Sequence, residues 1–271
     1  MSYRTAASAL LLAVICSTAI PAPATAQPSL EQGIPVAPLD DVPPRTALSL
    51  RTPIGIAWGT GNENEPRSAL SISKLYLADY ALRHGDGSAE DRANAERMIR
   101  YSDDAAADAI ETKYPQAIAA IAAEYGLEQT RPGSGGWGTS VTSTADIADF
   151  LTAKQTTDPA SPILGWMATA APTAADGTRQ DWGTAQLPGV QGTKWGWSDM
   201  APPEVASASF GPGFTVAAHT RGGPADQTAD VLGALSAAIP EAWGVSPDAS
   251  GGPDITPTGD HLRTPTVGTT R

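Results

Sequence analysis

The chain has 271 residues, a net charge of −12 and a single cysteine, Cys16. This acidity disfavours nucleic acid and anionic membrane surfaces as partners and favours solubility. With one cysteine and three scattered histidines, at positions 84, 219 and 261, the sequence predicts no disulfide, no metal site and no cofactor. The length suits one sizeable domain or two intimate halves, and we expect a monomer.

The first 26 residues have the pattern of a secretory signal peptide. A single arginine precedes an apolar run over 6–15, and the segment ends in small residues at 24–26. That run is too short to span a bilayer, so we expect cleavage after Ala26 and an extracytoplasmic location. A lipoprotein anchored through Cys16 is the less favoured alternative, because Ile15 stands where lipid attachment needs a small residue.

Both ends of the remaining chain lack the pattern of a folded domain. Residues 27–44 contain five prolines and few large apolar side chains, while residues 246–271 are rich in glycine, proline, threonine and aspartate. Such compositions are typical of disordered segments. We therefore predict a proline-rich linker at 27–44, a folded domain at 45–245 and a disordered tail at 246–271.

The elements predicted within the domain run from strand to helix and back to strand. We expect two short strands within 47–58, a buried helix over 68–83, helices over 88–101, 105–113, 115–125 and 144–154, strands over 190–197 and 206–219, and a closing helix over 225–239. A glycine-rich loop at 133–138 interrupts the helices. This order indicates an α+β fold, with a sheet half (45–70 and 185–245) split by a helical half (71–184).

Lys74 is unusual for the helix in which it is predicted to lie. That helix is apolar nearly all round, which is typical of burial, and an unpaired ammonium is costly to bury. Ser71 lies one turn earlier on the same face. A desolvated lysine with a lowered pKa can remove the proton of a serine hydroxyl and make it a nucleophile. The alternative is a lysine that extends to the helix edge beside an unremarkable serine.

Two later motifs could belong to the same site. Ser102-Asp103-Asp104 lies between two predicted helices, where it could be no more than a helix cap. Lys194-Trp195-Gly196 lies on a predicted strand, where the glycine would let a substrate approach closely. The alternative for Lys194 is an exposed lysine on a strand.

Together the three motifs resemble the serine β-lactamase and penicillin-binding DD-peptidase superfamily. Its signature is S-x-x-K, then S-D-N, then K-T-G, in that order. The flanking stretches 96–106 and 126–131 are similar to class A β-lactamases, and the resemblance covers about residues 47–239. It implies an antiparallel sheet flanked by helices with an inserted all-helical subdomain. It also implies a serine hydrolase that acts on a peptidoglycan-type peptide or a β-lactam.

The resemblance also implies a role for each catalytic residue. Ser71 would attack the substrate carbonyl, with Lys74 as its base at a pKa lowered by burial and by the nearby Lys194. Ser102 would relay a proton to the leaving nitrogen, and Lys194 would hold the substrate carboxylate. The oxyanion would be bound by the N–H of Ser71 and that of Trp197 or Ser198. Substrate-binding positions are implied at Asp104, Trp195, Gly196 and Trp197.

Three departures from the family pattern lead us to expect slow hydrolysis of an acyl-enzyme. Asp104 replaces an asparagine, and its carboxylate would raise the pKa of Lys74. Trp195 replaces a threonine or serine and would place a bulky ring beside the cleft. The stretch 131–138 has no counterpart of the class A glutamate that activates the deacylating water. Four tryptophans are expected either around the cleft or in a Trp-rich core: Trp137, Trp182, Trp195 and Trp197.

Two other functions compete with this prediction. A catalytically degenerate cell-wall-binding protein of the same fold would explain the altered motifs but not the retention of Ser71, Lys74, Ser102 and Lys194. A Ser-His-Asp hydrolase of another fold would need a G-x-S-x-G nucleophile elbow, which the sequence lacks.

Overall fold

The computed structural model describes residues 36–38 and 41–242. The predicted signal peptide (1–26), Cys16 and the predicted tail (246–271) lie outside the described residues. The predicted linker is described in part, and its residues 36–38 form a short strand rather than a structureless spacer. Among the described residues, no helix is both long and apolar enough to cross a membrane.

A six-stranded sheet forms the centre of the fold. The strands of the chain are β1 (Val36–Pro38), β2 (Thr46–Arg51), β3 (Ala57–Gly59), β4 (Arg67–Ser68), β5 (Val141–Thr142), β6 (Gly192–Trp197), β7 (Val205–Gly211) and β8 (Phe214–Thr220). Across the sheet the order is β1-β3-β2-β8-β7-β6, antiparallel except for the β1–β3 pair. Strands β4 and β5 pair separately, and β6 is an edge strand of the large sheet.

The helices lie on both faces of this sheet. They are α1 (Ser73–His84), α2 (Ala89–Arg100), α3 (Asp104–Lys113), α4 (Ala117–Tyr125), α5 (Thr144–Thr157), α6 (Pro162–Ala168) and α7 (Pro224–Ala242). Side chains of a strand alternate between the faces. Accordingly, Val216 of β8 packs with Val231 of α7, whereas the hydroxyl of its neighbour Thr215 donates to the Ala148 carbonyl of α5. The expected α+β architecture, an antiparallel sheet flanked by helices, is confirmed.

Two predicted helix starts have the capping geometry that their sequences indicate. The hydroxyl of Ser88 accepts from the Asp91 N–H before α2, and that of Ser143 accepts from the Asp146 N–H before α5. Each bond satisfies a backbone donor that the first helical turn leaves free. The short helix α6 was not predicted, because seven residues that begin with proline give too little periodicity.

The segment that contains Ser71 differs from the single long helix predicted over 68–83. Residues 67–68 form β4, Leu70–Ile72 form a 3₁₀ turn, and α1 begins only at Ser73. The pairing with β5 extends to Ala69, whose N–H donates to the Ser140 carbonyl at 2.8 Å. The turn holds Leu70 at a φ of 51°, which is unusual for a residue other than glycine. Apolar periodicity cannot reveal a strand contact with a distant segment, so the helix was predicted too long.

Candidate active site

Lys74 lies at the centre of the candidate site. Its side chain is fully buried, and Nζ lies 2.9 Å from Ser71 Oγ and 2.7 Å from the Ser102 carbonyl oxygen. Nζ also forms an ion pair with Asp104 and lies 4.4 Å from the centre of the Trp137 ring. An ammonium has three N–H donors, and Ser102 Oγ, at 3.4 Å, is a fourth and more distant acceptor for them.

Burial and charge act in opposite directions on Lys74. Burial lowers its pKa below the ordinary lysine value, and the hydrogen bond and charge of Asp104 oppose that change. The lowered pKa agrees with a role as base, and the opposing carboxylate is the effect expected when aspartate replaces the asparagine of the family motif.

Ser102 joins the two lysines of the site. It lies in the turn between α2 and α3 at a φ of 52°, and its Oγ accepts from Lys194 Nζ at 2.8 Å and faces Lys74 Nζ at 3.4 Å. With donors on two sides, the hydroxyl can direct its own proton toward the cleft. Asp103, not Ser102, caps the following helix by accepting from the Ala106 N–H.

Lys194 is fully buried on β6 and is held by neutral groups. Its Nζ donates to Ser102 Oγ and to the Trp195 carbonyl. Burial, and to a lesser degree the charge of Lys74, lowers the pKa of Lys194 well below its ordinary value. The alternative of an exposed strand lysine is therefore wrong, because the predicted strand borders the site and not the solvent.

Gly196 is the point where the edge strand meets the nucleophile turn. A Cβ atom at this position would lie 2.8 Å from the Ser71 nitrogen and 2.9 Å from Leu70 Cβ. Both distances are too short for carbon in a packed structure, so any side chain would push β6 away from Ser71. Gly196 is thus required because the backbone of β6 comes so close to the Ser71 turn.

The hydrogen bonds of β6 select between Trp197 and Ser198 as the second expected oxyanion donor. The Ser198 N–H donates to the Glu204 carbonyl and continues the ladder with β7. Neighbouring residues of an antiparallel strand point their N–H groups in opposite directions, so that of Trp197 points outward from this edge. The Ser71 and Trp197 N–H groups are therefore the pair available for a developing oxyanion.

A cleft of about 440 Å³ opens over Ser71. It is lined by Ser68, Leu70, Ser71, Asp104, Trp137, Gly138, Thr139, Asp176, Trp197, Ser198, Asp199 and Met200. The sequence gives no indication for several of these residues, among them Asp176, whose carboxylate accepts from Trp197 Nε1 at 3.1 Å. Asp176 and Asp199 come from loops without a motif, so only the folded chain brings them to the cleft.

The ring of Trp195 does not lie beside the cleft, and that expectation was wrong. Side chains alternate along β6, so Trp195 faces away from Lys194 and Gly196. The ring packs with Trp182 and Val205, is 6% exposed, and donates from Nε1 to the Trp182 carbonyl at 2.9 Å. Of the four tryptophans, Trp137 lines the cleft, Trp182 and Trp195 form a small core, and Trp197 packs against that core and also lines the cleft.

The loop over 131–138 places an aromatic ring, and no acid, at the site. Trp137 stacks over Lys74, and its Nε1 donates to Asp108 at 2.8 Å. Glu128, the acidic residue nearest to this loop in the sequence, lies beyond the end of α4 and is not among the residues that line the cleft. Within residues 36–38 and 41–242, no group of three or more His, Cys, Asp or Glu side chains could hold a metal ion.

The assembled fold and site can be compared with known proteins. No family model matches the sequence, and no curated protein does. Similar solved structures include a variant of the last common ancestor of Gram-negative bacterial class A β-lactamases, with 18% identity, 73% of this chain and 92% of that chain covered, and a TM-score of 0.56. The chain has the fold of β-lactamases and DD-peptidases.

Two further structures support this conclusion. A D-alanyl-D-alanine carboxypeptidase from Mycobacterium tuberculosis has 18% identity, with 79% of this chain and 96% of that chain covered and a TM-score of 0.53. A β-lactamase from Sphaerobacter thermophilus has 15% identity, with 74% and 93% covered and a TM-score of 0.54. At these identities the likeness establishes the β-lactamase/DD-peptidase fold, and the chemistry has to be argued from the site itself.

Proposed function

We propose that this protein is an exported serine hydrolase that forms an acyl-enzyme on Ser71. Its substrates would be peptidoglycan-type peptides or β-lactam-like amides, taken up by a monomer. The observation that carries the proposal is the 2.9 Å contact of the fully buried Lys74 with Ser71 Oγ at the floor of an open cleft. Lysine with a lowered pKa beside a serine is the arrangement that activates this nucleophile.

The proposed acylation uses each neighbour of Ser71 in turn. Lys74, once it has lost a proton, accepts the proton of Ser71 Oγ as that oxygen attacks the substrate carbonyl. The N–H groups of Ser71 and Trp197 bind the oxyanion. As the bond from the acyl carbon to the leaving nitrogen breaks, Ser102 gives its hydroxyl proton to that nitrogen and takes a proton from the Lys74 ammonium. The Lys194 ammonium attracts a substrate carboxylate.

The second half-reaction is expected to be slower than the first. The 131–138 loop offers no carboxylate to activate water, and the ring of Trp137 covers Lys74 from that side. We therefore propose that acyl-enzyme accumulates during turnover. The further consequence is that penicillins should act more as inhibitors of this protein than as rapidly consumed substrates.

One labelling experiment tests this proposal. The chain from Gln27 onward is incubated with a fluorescent penicillin, and the covalent label is followed by gel and by mass spectrometry. We expect a label on Ser71 that Ser71→Ala abolishes. Ser161→Ala, which changes a buried serine outside the cleft, should keep it. Absence of label and of turnover with any acyl donor would overturn the proposal.

The second candidate is a non-catalytic cell-wall-binding protein of the same fold. It is favoured by Asp104, which holds Lys74 as an ion pair, and by Trp195, which leaves the strand without the usual hydroxyl. This candidate predicts retention of the folded chain on purified peptidoglycan with no covalent label, and equal retention of Ser71→Ala.

A further inference from the structure

Asp104 occupies a position that suits a catalytic base. Its carboxylate contacts Lys74 through Oδ1, yet its side chain is 69% exposed and borders the same cleft as Ser71. We infer that Asp104 activates the water that hydrolyses the acyl-enzyme, in place of an acid on the 131–138 loop. The inference rests on the proposed acyl-enzyme and concerns its second half-reaction.

Distances within the site permit this role. Lys74 Nζ lies 2.9 Å from Ser71 Oγ and touches the Asp104 carboxylate, so the acylated oxygen and the carboxylate are about two hydrogen-bond lengths apart, roughly 5 to 6 Å at most. One water molecule bridges such a gap while it donates to the carboxylate. A general base must reach the proton that it removes, directly or through one water.

Three nearby carboxylates are committed to other partners, and Asp199, which also lines the cleft, forms no ion pair with Lys74 among the described contacts. Asp103 accepts from the Ala106 N–H and from Arg97, at the start of α3. Asp108 accepts from the indole of Trp137, and Asp176 accepts from that of Trp197. Within the described residues, Asp104 is the carboxylate that both lines the cleft and forms an ion pair with the lysine of the nucleophile.

The step balances with the groups that are present. Water loses a proton to the Asp104 carboxylate as its oxygen bonds to the acyl carbon of the Ser71 ester. The tetrahedral oxyanion is held by the Ser71 and Trp197 N–H groups. As it collapses, the bond from the acyl carbon to Ser71 Oγ breaks, Oγ takes a proton from the Lys74 ammonium, and Lys74 takes the proton held by Asp104. The products are the free acid and the resting enzyme.

This assignment gives Asp104 opposite effects on the two half-reactions. Its charge favours the ammonium form of Lys74 and therefore slows acylation. The same charge supplies the base for deacylation. An amide of the same shape should therefore separate the two rates, which a residue with a purely structural role would not do.

The experiment compares wild type, Asp104→Asn and Asp104→Glu. Rapid quenching and mass spectrometry with a penicillin and a chromogenic cephalosporin give the acylation rate and the acyl-enzyme lifetime separately. For Asp104→Asn we expect acylation at least as fast as wild type and a lifetime about 100-fold longer, the range typical of a lost general base. Asp104→Glu keeps a carboxylate and should deacylate within about tenfold of wild type.

Each outcome decides between the possibilities. Deacylation of Asp104→Asn at the wild-type rate would overturn the inference, as would loss of acylation in a variant that melts at the wild-type temperature. If no acyl-enzyme forms on Ser71 of the wild type, the proposed function itself is refuted. This outcome differs from a failure of the Asp104 assignment, in which acyl-enzyme forms but its lifetime does not depend on Asp104.

Discussion

Two regions of this protein bury lysine in opposite ways. Between α1 and α5, Lys154 is 1% exposed and pairs with the equally buried Asp79, with Asp158 as a second partner. In the cleft, Lys194 is fully buried and donates only to a hydroxyl and a carbonyl among its described contacts. A buried charge with a buried counterion serves structure, whereas a buried charge without one is retained at a cost in stability and points to chemistry.

Loss of the buried ion pair between Asp79 and Lys154 should change stability the most. Asp79→Ala leaves Lys154 buried without its main counterion, so we expect the free energy of unfolding to fall by about 3 to 5 kcal/mol. Denaturant unfolding followed by circular dichroism measures this. The double variant Asp79→Leu with Lys154→Met removes both charges and should recover most of the loss. A loss below about 1 kcal/mol in Asp79→Ala would contradict a structural role for this pair.

Lys194→Met should give the reverse result. It removes a buried charge that lacks a counterion, so the free energy of unfolding should stay level or rise. The acylation rate should fall about 100-fold, because a cationic group that stabilises the reacting complex is lost. Unfolding curves and labelling rates on the same samples test both parts. Destabilisation as large as that of Asp79→Ala would show that Lys194 is structural after all.

Lys74 stands between these extremes, since its counterion is exposed. The neutral amine is the base, so the acylation rate should increase as pH rises through the lowered pKa of Lys74. In Asp104→Asn the carboxylate that favours the ammonium is gone, so the rise in acylation rate should move to lower pH. Labelling rates between pH 5 and 10 measure the shift. Glu111→Gln, on the same helix, should leave the profile in place, and an equal shift in that variant would refute the assignment to Asp104.

The smallest effect concerns a buried residue outside the cleft. His219 is 2% exposed, and burial lowers its pKa to about 4, with Glu204 opposing this change and the positive charge of Arg67 assisting it. Above pH 6.5, the ordinary pKa of histidine, the ring is neutral in both the folded and the unfolded chain. Below it the unfolded chain gains a proton that the folded chain does not, so stability is lost as pH falls from about 6.5 toward 4.

We expect this loss to be on the order of 2 kcal/mol. Denaturant unfolding at pH 7 and pH 4.5 gives the loss for wild type and for His219→Leu. The variant should lose less stability than wild type over this interval. Equal losses in the two proteins would mean that His219 does not contribute, and that exposed carboxylates account for the acid sensitivity.

The sequence predicted which residues meet at the site better than it predicted the shape of the site. The order of the motifs brought Ser71, Lys74, Ser102 and Lys194 to attention, and the structure places all four in one hydrogen-bonded group. The apolar residues around Lys74 in the sequence predict that it is buried. Its partners can be predicted only because each motif has its own local pattern of residues.

What could not be predicted depends on pairing between distant segments. The orientation of Trp195 is an exception, because the alternation of side chains along β6 already places it on the opposite face from Lys194. Strand β4 follows from its partner β5, which lies more than 70 residues away. Strand β1 lies in a proline-rich stretch whose composition indicates disorder.

The contact at Gly196 has a consequence for how this site can change over evolutionary time. The edge strand approaches the Ser71 nitrogen and Leu70 Cβ too closely for any side chain at position 196, so the separation of β6 from the nucleophile turn depends on a glycine and not on the other residues of the motifs. Substitutions such as those in the second and third motifs can alter charge and polarity around the serine without altering that separation. Such a site can exchange one acyl substrate for another, or lose turnover, while its nucleophile stays in place.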